Sequence, residues 1–219
     1  MKKLFTNDAF FSAVVIVSVV GEILFCLLKL IAGITLVDGG VYVDSNWLDI
    51  LLSGIIISAC LVTLYISYKN HEKNVMKGMM GAILMAVLFD GVGYITKINL
   101  EVDKIVVPLY IIFAAGLFAN HFAINKEHHS NPVNVVLNQI LAALLAVCNI
   151  VWFIVRLASE ASVMDAIADA IYAVAFACLA ATIVCVESRL DAYRVNREKA
   201  GWTEEKGYPE GYVHEHENK

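Results

Sequence analysis

Residues 133–155 read VNVVLNQILAALLAVCNIVWFIV and contain no formally charged side chain. A helix needs about 20 predominantly apolar residues to cross the hydrocarbon core of a bilayer, so this run is long enough to span one. Similar runs occur on either side of it. They predict an all-α, polytopic integral membrane protein, a bundle of six transmembrane helices with boundaries defined to about 2–4 residues. The predicted spans are residues 9–36, 49–68, 78–97, 105–125, 133–156 and 163–187.

The composition agrees with a membrane environment. The chain has 219 residues, of which 59% are hydrophobic and 17% are charged, and its mean hydropathy is +0.70. Ordinary soluble domains are more polar, because their surface must face water. Six spans leave no room for a separate soluble catalytic domain. We therefore expect one transmembrane domain over residues 1–187, followed by a cytoplasmic helical extension and a disordered acidic tail over residues 188–219.

The basic residues predict the orientation in the membrane, since cytoplasmic loops are enriched in Lys and Arg. Alternate sides of the six spans carry very different numbers of them. The richer side includes both chain ends and is therefore predicted to be cytoplasmic, in the inner membrane if the cell is bacterial. It carries Lys2, Lys3, Lys69, Lys73, Lys77, Lys126, Arg189, Arg194, Arg197, Lys199, Lys206 and Lys219, whereas the other side carries Lys97, Lys104 and Arg156.

Several functional classes are disfavoured. A net charge of −5 and a pI near 5.6 argue against nucleic-acid binding. The five cysteines lie in apolar runs without a Cys-x-x-Cys pair, and no histidine has HExxH spacing, so no disulfide, metal site or cofactor is predicted. Asp90 and Asp169 invite comparison with intramembrane aspartyl proteases, but the motifs around them do not match. An enzyme is therefore the least favoured class.

Ionisable residues inside three predicted spans are the main indication of function. A charge at the centre of a membrane helix costs about 2.5–3.5 kcal/mol on insertion scales, so such side chains should face protein or water. Asp165 is one residue of this kind in the sixth span. The others are Glu22 and Lys29 in the first span, Asp90 in the third and Asp169 in the sixth.

Four polar residues are predicted to share one level of the bilayer. Lys29, Asp90, Asn149 and Asp169 lie six or seven residues inside the outer ends of their spans, about 10 Å deep at 1.5 Å per residue. We expect Lys29 to pair with Asp90 or Asp169, which leaves one carboxylate to bind a proton or cation or to face water. Glu22 lies deeper, and its partner stays open: a neighbouring backbone, or a pore on an oligomer axis.

Small residues at helical spacing form a stripe along the sixth span. Such stripes let helix backbones approach closely in lipid. The sequence predicts a helix-packing seam here, either within one chain or between subunits, and we favour packing within one chain. The stripe consists of Ala166, Ala170, Ala173, Ala177 and Ala181.

Two functional hypotheses follow, together with the less favoured enzyme. In the first, the chain is an oligomeric channel or transporter whose polar layer conducts ions, protons or a small solute. In the second, it is a non-enzymatic sensor or scaffold that relays to a cytosolic protein through residues 188–219, as in stress-response or phage-defence systems. Under the first hypothesis, the buried charges form the path of the transported ion or proton. The alternative is a structural role, in which buried ion pairs only set the helix register.

Overall fold

The computed structural model describes residues 7–203 except 33, 38–39, 44–46, 96–100, 127–130 and 160–162. Within these residues the chain forms six helices, and all six are long and apolar enough to cross a membrane. Each predicted span coincides with one helix, so the predicted number and order of helices are confirmed. The elements are α1 (Asp8–Ala32), β1 (Ile34–Val37), β2 (Gly40–Val43), α2 (Trp47–Lys69), α3 (Lys73–Tyr94), α4 (Asp103–Lys126), α5 (Pro132–Ser159) and α6 (Val163–Lys199).

The first predicted span differs from the structure at its carboxyl end. The prediction extended this helix to residue 36, but α1 ends at Ala32, and β1 pairs antiparallel with β2 in a two-stranded hairpin. The apolar run contains the β-branched sequence Ile-Thr-Leu-Val at 34–37, followed by a Gly-Gly step, which favours a hairpin over further helix. Of residues 38–47, which lie between the first two predicted spans, 40–43 form β2 and Trp47 begins α2, and the others lie outside the described part.

Each helix packs against the next one along the chain, and α6 closes the bundle by packing against both α5 and α1. It also touches α3, so α6 is the most enclosed helix. The outer faces of the bundle are apolar, with exposed side chains such as Ile16, Ile55, Phe89, Ile112 and Ile154. Continuous apolar surface of this kind suits contact with lipid rather than water.

The antiparallel helices give the bundle two ends. We call the end that carries β1 and β2 the hairpin end, and the end that carries the turn between α2 and α3 the His71 end. At the His71 end, α6 continues beyond the other helices and stops at Lys199. Gly201 adopts φ 80° and donates its N–H to the Glu198 carbonyl at 3.0 Å, which terminates the helix.

A close approach of the helix backbones joins α1 to α6. A Cβ added to Gly21 would lie 2.6 Å from the Cβ of Ala175, which is closer than real Cβ contacts. One turn before it, Ser18 donates its hydroxyl to the Ala175 carbonyl at 3.1 Å. Small residues therefore bring α1 and α6 together, as expected for helices that associate in lipid.

The predicted alanine seam has a mixed environment. One member, Ala173, is buried. The other four are half-buried: Ala166, Ala170, Ala177 and Ala181. The contact with Gly21 instead uses Ala175, which lies outside the predicted stripe. The role of the stripe as a seam stays a prediction.

Gly21→Ala should destabilise the protein by about 1–3 kcal/mol, because the added methyl group overpacks the contact with Ala175. The measurement is the free energy of unfolding by denaturant titration in mixed micelles. Gly78→Ala is the matched control, since a Cβ at Gly78 meets no atom within 4 Å. Equal effects of the two substitutions would contradict the assigned contact.

Candidate functional site

A cluster of ionic side chains fastens α1 and α5 to α6 near the hairpin end. The Lys29 Nζ lies 2.9 Å from Oδ1 of Asp165 and 2.9 Å from Oδ1 of Asp169. The two acids are four residues apart, so they share one face of α6. Arg156 of α5 places its Nη1 3.5 Å from Oδ2 of Asp169. Two cations therefore face two carboxylates, and the formal charges of these four side chains cancel.

The arrangement corresponds in part to the sequence-based expectation. Lys29 pairs with Asp169, one of its two expected partners, and with Asp165, which was not expected. From the sequence, Arg156 is only one of the three basic residues on the less basic side. Because α5 continues to Ser159, Arg156 lies one turn after Trp152, and its guanidinium lies 5.2 Å from the centre of the Trp152 ring. It thereby faces the cluster.

A small cavity of about 30 Å³ adjoins the cluster. Two of its wall residues, Asn149 and Asp169, are only 3% and 8% exposed. The Nδ2 of Asn149 and the Oδ2 of Asp169 form no hydrogen bond within the described residues. A space of this size is large enough for one or two water molecules. The cavity is lined by Phe25, Asn149, Trp152, Phe153, Arg156, Asp169 and Tyr172.

Two further carboxylates lie beyond the cavity, inside the bundle. Tyr172 lines the cavity and donates its hydroxyl to Oδ2 of Asp90 at 3.2 Å. Glu22 is only 3% exposed and is close enough to Asp90 for the two charges to interact. Of the predicted polar layer, the structure thus places Asn149 and Asp169 on one cavity and connects Asp90 to it through Tyr172. Glu22 lies inside a single chain rather than on its outer surface.

The helix beside Asp90 is closely packed. A Cβ at Gly91 would lie 2.7 Å from the ring of Tyr110, so this glycine admits the neighbouring aromatic side chain. A Cβ at Gly93 would meet no atom within 4 Å. Close packing beside Asp90 therefore involves one of the two glycines.

A second buried pair lies toward the His71 end. His121 of α4 contacts Oε1 of Glu187 through its Nδ1, and its Nε2 lies 3.1 Å from the carbonyl oxygen of Lys77. The side chains of His121 and Glu187 are 1% and 0% exposed. A carbonyl can only accept, so Nε2 must carry a hydrogen, and one further proton is shared between Nδ1 and the Glu187 carboxyl.

Sequence reasoning missed this His–Glu pair. In the sequence, His121 belongs to no predicted site, and Glu187 is only the last residue of the sixth predicted span. The available signal was that both residues lie near the same end of their helices, although no spacing rule connects residues on α4 and α6. Among the described residues, no group of three or more His, Cys, Asp and Glu side chains is arranged to hold a metal ion.

The start of the α6 extension packs on the bundle. The Arg189 guanidinium lies 4.9 Å from the centre of the Tyr68 ring, and the Tyr193 hydroxyl lies 2.9 Å from Nδ1 of His71. His71 has φ 59°, a left-handed conformation that places it in the tight turn between α2 and α3. Residues 204–219 of the predicted tail lie outside the described part.

Comparison with protein-family models, with curated proteins and with solved structures gave no match at the level of significance required. The assignment of function therefore rests on the geometry of the side chains themselves.

Lys29→Met should cost about 3 kcal/mol of stability, because it leaves buried carboxylates without their closest cation. Adding Asp169→Asn to Lys29→Met should recover part of this loss, since it removes one uncompensated charge. The control is Lys104→Met, which breaks an exposed pair with Glu101 and should have little effect. Denaturant titration in mixed micelles measures all three. A loss for Lys29→Met no greater than for the control would refute the structural role of the cluster.

Proposed function

We propose that this chain is a multi-pass protein of the cell membrane that transports protons or small cations, with both chain ends in the cytoplasm. The observation that carries the proposal is the neighbouring pair of acids, buried Glu22 and half-buried Asp90, which Tyr172 connects to the cavity at the hairpin end. Ionisable residues are costly inside a membrane and generally mark substrate or ion pathways. Homo-oligomerisation stays a prediction of the sequence.

The ionic cluster alone would support only a structural role, because its two cations and two acids compensate each other. Glu22 and Asp90 differ, since Asp90 places a like charge close enough to Glu22 to interact with it. Two neighbouring carboxylates in a poorly hydrated site do not both ionise easily, so they tend to take up a proton or a cation. This tendency is the chemical property that transport requires.

The polar groups form two separate stations along α6. The first consists of the cavity, Tyr172, Asp90 and Glu22, and the second is the His121–Glu187 pair with its shared proton. Between them, α6 presents the buried apolar side chains of Phe176, Leu179 and Ile183. An ion cannot cross this apolar segment without a rearrangement, so the geometry favours a transporter over an open channel.

A second candidate function, a relay to a cytosolic protein, is favoured by the continuity of α6. This one helix carries Asp169 in the ionic cluster and Tyr193 in the contact with His71. The two residues are 24 positions apart, about 36 Å along a helix. A displacement of α6 at one end could therefore alter contacts at the other end.

In proteoliposomes, Glu22→Gln and Asp90→Asn should each reduce transport at least about tenfold, because each removes a proton acceptor. Proton flux is measured with an enclosed pH-sensitive dye under an imposed potential, and cation flux with enclosed radiotracers. Glu101→Gln is the control, since Glu101 is exposed and outside the path. Wild-type protein that moves neither protons nor cations under these gradients would exclude the proposed function.

If α6 acts as a relay, Asp169→Asn should change the emission of Trp202, which lies against Arg197 just beyond the helix. The measurement uses Trp47→Phe and Trp152→Phe to isolate this fluorophore, with Glu101→Gln again as the control. The relay predicts a wavelength shift for Asp169→Asn alone. Identical spectra for both variants would count against the relay and leave transport as the remaining candidate.

A further inference from the structure

One of the protein's own cations, Arg156, lines the cavity at the hairpin end, and a second, Lys29, pairs with Asp169 in the cavity wall. The Lys29 Nζ lies 6.0 Å from the centre of the Phe25 ring, and the Arg156 guanidinium lies 5.2 Å from that of Trp152. Both cations also face Asp169. Aromatic faces combined with a carboxylate are the usual elements of a site for organic cations.

The two cations are held very differently. The Lys29 side chain is 15% exposed and bridges two acids at 2.9 Å. The Arg156 side chain is 43% exposed, and its contact with Asp169 is longer, at 3.5 Å. Partly exposed ion pairs at such distances contribute little, so Asp169 holds Arg156 less firmly than it holds Lys29. Its departure would add the volume of a guanidinium group to the existing cavity.

The cavity walls also contain polar atoms that suit an added ligand. Oδ2 of Asp169 can accept a hydrogen bond, and it forms none within the described residues. Nδ2 of Asn149 can only donate and likewise forms no hydrogen bond within the described residues, whereas a rotated amide would present its oxygen to the cavity as an acceptor. Both side chains are more than nine-tenths buried. A ligand with several N–H donors would satisfy both residues.

The charge of the cluster selects the class of ligand. With Lys29 and Arg156 facing Asp165 and Asp169, the formal charge is balanced. A cation that replaces the Arg156 side chain keeps this balance, whereas an anion in the same place would lie against Asp169 without that guanidinium. The site therefore suits exchange of one cation for another.

We propose that this cavity is a binding site for a small organic cation of the guanidinium or methylammonium class, which takes the place of the Arg156 side chain between Trp152 and Asp169. The inference rests on the proposed function in that it names the class of transported cation. Binding itself can be measured without transport.

The experiment follows Trp152 fluorescence in purified full-length protein carrying Trp47→Phe and Trp202→Phe. Guanidinium chloride, well below denaturing concentrations, and methylammonium chloride serve as probes, and sodium chloride at equal ionic strength is the reference. We expect saturable quenching or a spectral shift with at least one organic cation. Arg156→Ala should tighten the apparent affinity about tenfold, as expected if the native side chain leaves a tenth of the molecules competent to bind.

Asp169→Asn should weaken binding at least about tenfold, because it removes a charge-assisted hydrogen bond. Glu101→Gln should bind as the parent does. If Asp169→Asn does not fold, the tightening by Arg156→Ala remains the deciding result, since a purely structural arginine would not produce it. Weaker or unchanged binding in Arg156→Ala, no saturable response to either probe, or an equal response to sodium chloride would overturn the site.

The two proposals can fail independently. Saturable binding in a protein that transports no cation or proton would uphold the site and exclude the transport function. Proton flux that needs Glu22 and Asp90, without any binding of the two probes, would uphold transport and overturn the organic-cation site.

Discussion

The contact between α1 and α6 organises the bundle. It combines a backbone approach at Gly21 and Ala175, a hydroxyl bond from Ser18, and the pairing of Lys29 with two acids of α6. In lipid, apolar side chains gain little by moving from acyl chains to protein, so close packing and polar bonds must specify which helices meet. The first and last helices are thereby joined, and the acids of α1, α3 and α6 are brought into one interior.

The charged residues inside the bundle fall into two groups, according to whether their charges compensate each other. Lys29, Asp165, Asp169 and Arg156 compensate each other, and this cluster explains helix register without any transport. Glu22 and Asp90 lie beyond the cavity and interact with each other as like charges. The structural and functional interpretations of the buried charges therefore apply to different residues of the same chain, and Tyr172 is the side chain that connects them.

Hydropathy and helix spacing predicted the number, order and approximate bounds of the helices, because each span carries its own apolar signal. The pairing of Lys29 with Asp169 was also among the predicted alternatives, since the two lie at similar depth. Arg156 and the His121–Glu187 pair were missed because their roles require the mutual rotation of helices distant in sequence. The β1–β2 hairpin was missed because its apolar residues continue the hydropathy of α1, so only their β-branched character distinguished them.

Arg156 illustrates how one side chain can serve both structure and binding. Its guanidinium lies against an aromatic ring and a carboxylate, as a free guanidinium ion would, yet its partial exposure allows it to leave. While it occupies the site, the cluster is neutral and the cavity is too small for an organic cation. When an external cation replaces it, neutrality is kept, and the cation beside Asp169 is then no longer tethered to α5. Because Asp169 is bonded to Lys29 as well, such an exchange would act on the same cluster that joins α1 to α6.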